Sequence, residues 1–138
     1  MQHAPQPLLD IIAHWSDPAQ QAVWICRTLF HQISTERDIG PLDETLKWGQ
    51  PSWRPVRPRT GSTLRMGWRQ ADADHLAFFV DCKTNLAAQM QDIYPDVFQN
   101  DGKRALLLPL SRPFAEQAVA HLAELTFTYH QRKRVAAA

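Results

Sequence analysis

Leu42-Asp43-Glu44-Thr45-Leu46-Lys47-Trp48 sets Leu42, Glu44, Leu46 and Trp48 on one side of an extended chain and Asp43, Thr45 and Lys47 on the other. A period of two means a strand, because successive side chains of an extended backbone point to opposite faces. Gly49-Gln50-Pro51 interrupts it, and the segment from Pro51 to Pro58 holds three prolines. Each proline removes a backbone donor, which predicts a sheet edge or an extended loop there. Leu64, Met66 and Trp68 alternate with Thr63, Arg65 and Arg69 in a second strand, which ends at an Asp72-Ala73-Asp74 turn. Leu76-Ala77-Phe78-Phe79-Val80 is apolar on both faces, as a central strand is. Residues 42 to 82 therefore read as hairpin-joined strands.

Outside this block the period becomes helical. Leu8, Leu9, Ile12 and Trp15 share one face. Asp17 then suits an N-cap and Pro18 the first helical position, where its missing N–H costs nothing. The stripe Ala22 or Val23, Cys26, Leu29 or Phe30, Ile33 continues to Asp38-Ile39-Gly40-Pro41, so the first two helices are expected to pair as a hairpin. Thr84 caps a short helix with Leu86, Met90 and Ile93 on its buried side, closed by Tyr94-Pro95. Asn100-Asp101-Gly102 marks a turn and Ala105 to Leu108 a further buried strand. Ser111 and Pro113 open a last helix whose core side is Phe114, Ala118, Leu122, Leu125 and Tyr129, with Arg132-Lys133-Arg134 at its negative end. Strands and helices do not alternate as βαβ units. The expected class is α+β in two layers: an antiparallel sheet with an N-terminal helical hairpin, a short middle helix and a C-terminal helix packed on it. At 138 residues this is one domain, with a core from about residue 7 to 134 and frayed termini.

Apolar residues at 44% and charged residues at 21% exclude a disordered chain. Fifteen Lys and Arg against fourteen Asp and Glu give +1, so no partner follows from net charge. The N-terminal Met1-Gln2-His3-Ala4-Pro5-Gln6-Pro7 lacks the charge and apolar stretch of an export signal, and no apolar run reaches membrane-spanning length. A cytoplasmic protein with reduced Cys26 and Cys82 is expected.

Glu44-Thr45-Leu46-Lys47-Trp48-Gly49-Gln50-Pro51-Ser52-Trp53 resembles the signature of the YdhG-like family of small bacterial domains of unknown function: a Glu, a Lys-Trp-Gly triplet, a Pro and an aromatic in that order. The resemblance runs from the end of the second helix to the strand near Leu108. It implies a two-layer α+β fold with an antiparallel sheet. One branch of the family is described as a frataxin-like intracellular iron chaperone, so iron binding and delivery is a function implied by the resemblance alone. Two departures stand against that transfer: the Arg- and Pro-rich stretch from Arg54 to Arg59 is foreign to the family pattern, and no acidic ridge is evident.

Charge is segregated along the chain. Lys47, Arg54, Arg57, Arg59, Arg65 and Arg69 fall in a stretch without acids that also holds Trp48, Trp53 and Trp68. Gln70 to Asp101 then holds six aspartates against Lys83. Either neighbouring strands place Arg opposite Asp, or Trp and Arg line a surface for a phosphate-bearing or other anionic ligand. Six cations beside a compensating acidic segment fall short of a basic domain, which argues against nucleic acid. Glu44, on an apolar strand face, must reach a donor, a cation or solvent, and so either pairs structurally or orients a ligand. Asp72, Asp74 and His75 are candidate metal ligands but read equally as a polar turn, and Asp92 and Asp96 have the spacing without a loop motif. Cys82, beside Lys83 and ahead of a helix, is the one candidate reactive thiol. The histidines, among them His14, His31, His121 and His130, are scattered, and no phosphate loop, nucleophile elbow or metalloprotease motif occurs. Trp24 lies off its helix's core stripe and is a candidate homodimer contact. The expectation is a non-enzymatic binding module without a membrane segment. Its candidate ligand site comprises Glu44, Lys47, Trp48, Trp53, Arg54, Arg65 and Trp68.

Overall fold

The strands at the centre of the sequence do form, and they build a sheet with one fully covered and one partly exposed face. A computed structural model describes residues 3–137; Met1, Gln2 and Ala138, which belong to the termini expected from sequence to fray, lie outside the described residues. Strands β1 (Leu42–Lys47), β2 (Gln50–Pro55), β3 (Leu64–Gly67), β4 (His75–Phe79), β5 (Gln99–Asp101) and β6 (Ala105–Pro109) make one antiparallel sheet in the order β1-β2-β3-β4-β6-β5. The helices are α1 (Gln6–Ile12), α2 (Asp17–Glu36), α3 (Leu86–Ile93), α4 (Glu116–Phe127) and α5 (Tyr129–Ala137). The class is α+β.

Register sorts the side chains. Glu44 pairs with Trp53 and Trp53 with Leu64; Met66 pairs with Phe78 and Phe78 with Leu106. Pairs directly opposite share a face, so this side of the sheet carries Trp53, Leu64, Met66, Phe78 and Leu106, all fully buried. The helices cover it. Phe30 of α2 meets Trp53 edge-on at 5.1 Å and Phe127 of α4 at 5.6 Å, which ties α2, α4 and β2 into one aromatic cluster. Ser52, Arg65, Phe79 and Ala105 align on the opposite face, where Arg65 and Phe79 are only half-buried. The central strand is therefore deeply buried on one face only, although its sequence is apolar on both.

Several expectations are corrected. β2 is interior rather than an edge or loop. Val56 donates its amide to Pro41 at 2.9 Å, so the even-numbered amides of β2 face β1. Pro51 and Pro55 would direct theirs toward β3, which pairs only with Ser52 and Trp53. The prolines thus occupy positions where no ladder bond is required. Ser16, not Asp17, caps α2, accepting from Ala19 N at 3.3 Å. The N-terminal helices each lean on further partners: α1 packs on β1 and β2, while α2 packs along α4. Trp48 leaves the Leu42 face altogether, and Ile93 is half-exposed rather than buried on α3.

The last helix is two. Leu125 and Tyr129 do pack at the core's margin, but Thr128 breaks the helix between them, and the fully buried side is Val119, Leu122, Ala123 and Phe127 with Thr126. Ala136 and Ala137, expected to fray, belong to α5. No helix among the described residues is long and apolar enough to cross a membrane.

Candidate anionic-ligand site

The break at Thr128 adjoins a strongly cationic concavity. A helix end leaves carbonyls without partners, and a helix start leaves amides without them. The loop before β3 serves both: Ser62 donates its amide to Thr126 O at 2.8 Å, and Gln131 of α5 donates to Thr60 O at 2.9 Å. Between these two bonds Gly61 lies so close to α4 that a Cβ there would sit 2.0 Å from Phe127 O. Only glycine fits. Arg132 adds a second clasp, donating to Leu125 O at 2.7 Å and to Thr128 Oγ1 at 3.1 Å.

This junction draws together two basic segments some seventy residues apart in sequence. Arg54, Arg57 and Arg59 from one side and Lys133 and Arg134 from the other line a hollow of about 530 Å³, whose only acid is Asp81. Among the described residues, no acidic side chain forms an ion pair with Arg54, Arg59, Lys133 or Arg134. Arg57 is held at the rim by Asp38, through the backbone oxygen at 2.9 Å and the carboxylate at 3.6 Å. A second hollow of about 230 Å³ shares Ser62, Thr63 and Asp81 with the first and adds Lys47, Trp48, Arg65, Cys82 and Arg104. Two guanidinium groups crowd there: burial, and then the nearby charge of Arg104, lower the Arg65 pKa below its ordinary value, with Asp81 opposing. Arg65 lies 5.6 Å over the Phe79 ring and donates to Gln50 Oε1 at 2.9 Å.

The predicted site residues separate into four groups. Arg54 lines the first hollow, and Lys47, Trp48 and Arg65 line the second. Glu44 and Trp53 lie in the covered layer. Arg27 of α2 grips the Glu44 carboxylate as a fork, with Nη2 at 2.8 Å from Oε1, and the Trp53 indole donates to Oε2 at 2.7 Å. Burial pushes the Glu44 carboxyl up, but the Arg27 and Trp53 hydrogen bonds and the Arg27 charge outweigh it, and the pKa lies below the usual carboxylate value. Trp68 belongs elsewhere, to a hollow of about 400 Å³ at the other end of the face that carries Arg65, with Trp15, Phe79 and His75. Its indole donates to Ala73 O at 3.0 Å.

Of the candidate metal ligands, Asp72 accepts from His75 Nδ1 at 2.8 Å while Asp74 is exposed. Among the described residues, no three His, Cys, Asp or Glu side chains gather where they could hold a metal ion. Cys26 and Cys82 are free thiols. Burial pushes the Cys26 thiol up, while Cys82 accepts from Arg104 at 3.7 Å. Trp24 is half-buried, with the Arg27 guanidinium 5.5 Å from its ring. No Arg of the 47–69 stretch forms an ion pair with an Asp of the 70–101 stretch among the described residues.

Sequence reasoning did not include Arg57, Arg59, Arg104, Lys133 and Arg134 in the site. A local run of like charge was visible in each segment, but their meeting depends on the break at Thr128. No family model matches this sequence, and no curated protein matches it. Among solved structures, the crystal structure of YdhG from Bacillus subtilis, a protein of the DUF1801 family, is similar over 87% of each chain, with a TM-score of 0.58 and 16% sequence identity. In the arrangement of its strands and helices, this chain is similar to YdhG.

Proposed function

We propose that this chain is a binding module for a phosphate-bearing ligand, held in the hollow between the Arg54–Thr63 segment and α5. One observation supports the reading above the others: five cations from two distant segments converge on a hollow lined by a single carboxylate. Guanidinium forks suit phosphate geometry, and cations without internal partners gain most from an incoming anion. The backbone clasp at Gly61 fixes both banks of the hollow before a ligand arrives, which reduces the ordering cost of binding.

Calorimetric titration with tripolyphosphate tests it. Arg54→Gln on β2 and Lys133→Gln on α5 are exposed substitutions on opposite banks. Each is expected to weaken binding about tenfold, as loss of one charge-assisted contact does. Undiminished affinity in the double variant rejects the site.

A further inference from the structure

The sheet face that carries Arg65 continues the cationic hollow in a way that free phosphate does not need. The two hollows join at Ser62, Thr63 and Asp81, so that cations extend from Arg134 on α5 to Lys47 and Arg65 in the sheet. Aromatic groups stand at the sheet end of that path. Trp48 is 89% exposed at the tip of the β1–β2 hairpin, and the Phe79 ring lies under Arg65.

Trp48 occupies a costly position. It has φ +55° and Gly49 has φ +72°, so the two-residue turn takes left-handed geometry at both central positions. Asn, Asp and Gly are the usual residues at the first of these, and a bulky side chain there is an outlier. An exposed indole in a strained conformation gains nothing from the fold, whereas outliers of this kind gather at binding sites. The Gln70 to Asp101 aspartates, which offset the cations in sequence, are mostly elsewhere in space. Asp81 alone lines the path, while Asp72 and Asp101 line the hollow at the far end.

We infer that the ligand of this surface is a single-stranded nucleic acid, its phosphates following the cations from α5 to Arg65 and a base stacking on Trp48. This rests on the phosphate-binding reading and deepens it. Repeated negative charge answers a path of cations, and a flat ring on each unit answers an exposed indole; such binding tolerates any base, because every base has a stacking face. A duplex keeps its bases stacked inside and cannot offer one to Trp48.

Fluorescence anisotropy with labelled eight-nucleotide oligothymidylate and oligouridylate tests the inference, alongside calorimetry with tripolyphosphate. Binding of either oligonucleotide is expected, with log affinity falling against log salt at a slope of about −3, as four or five phosphate contacts give. Trp48→Asn keeps a residue that accepts left-handed geometry. It is expected to raise Tm slightly, weaken the oligonucleotide about tenfold and leave tripolyphosphate affinity unchanged. Unchanged oligonucleotide affinity in Trp48→Asn, or a duplex of the same length competing better than the single strand, overturns the inference. Tripolyphosphate binding without oligonucleotide binding overturns it too but leaves the phosphate-binding reading standing; failure of both ligands overturns both.

Discussion

Glu44 shows what a single side chain decides here. Its carboxylate faces the helix layer, where an unpaired charge would be prohibitive, and Arg27, 2% exposed, is the cation that meets it. Removing one partner of such a pair strands the other, at roughly 3–5 kcal/mol. Glu44→Gln keeps an acceptor for the Trp53 indole but loses the charge. Its expected cost is therefore at the lower end, about 3 kcal/mol, read from urea unfolding at pH 7. The sign with pH follows from the lowered pKa of Glu44. Its contribution is complete above the unfolded value of about 4.3 and disappears as pH falls through the lower folded value. Between pH 6 and 3 the wild type is expected to lose more stability than Glu44→Gln; parallel curves would show that Glu44 is not linked to folding. That Glu44 needs a donor was legible in its alternation with Leu42 and Leu46. The donor's identity was signalled more faintly: Arg27 stands four residues after Val23 and three before Phe30, on the stripe that otherwise packs in the core.

Among the elements, the junction of α4 and α5 is where local pattern and tertiary structure disagree. Apolar spacing runs on from Leu125 to Tyr129, and nothing near Thr128 is a proline or glycine, so one long helix is the reading that sequence supports. What holds the break comes from more than sixty residues away, in the amide of Ser62, which bonds the end of α4, and the carbonyl of Thr60, which accepts from the start of α5. The prolines of β2 mislead in the same manner, since their tolerance depends on how little of β3 pairs beside them. The strands that were legible, β1, β3, β4 and β6, are those whose own side chains carry the alternation. Gly61→Ala tests the junction directly. Its Cβ would meet backbone, which cannot rotate away, so a loss of about 3 kcal/mol or more is expected. The amides of Ser62 and Gln131 should exchange with solvent faster in this variant, and tripolyphosphate affinity should fall as the two basic banks separate. Native exchange at both amides in a stable Gly61→Ala protein would refute the role given to this contact.

For the whole molecule, the decisive property is that cations from the β2–β3 connection and from α5 collect in one place. Net charge near zero conceals this, because the balance struck over 138 residues is not struck in the hollow beside α5. Cations gathered with few counter-charges repel one another in the folded state more than in the unfolded chain, so folding itself should respond to an anion that enters among them. A ligand that binds only the native state stabilises it by RT ln(1 + [L]/Kd), about 2.7 kcal/mol at a hundred times Kd. For a domain of this length, each kcal/mol moves Tm by roughly 4 °C. Tripolyphosphate at that concentration is accordingly expected to raise Tm by about 10 °C, with sodium chloride of matched ionic strength giving far less, because screening relieves repulsion without occupying the hollow. The Arg54→Gln and Lys133→Gln double variant should lose most of the tripolyphosphate shift while keeping the chloride response. Equal shifts from the two salts in the wild-type protein would mean that the cations share only a diffuse field, and that the hollow between β2 and α5 is not a site.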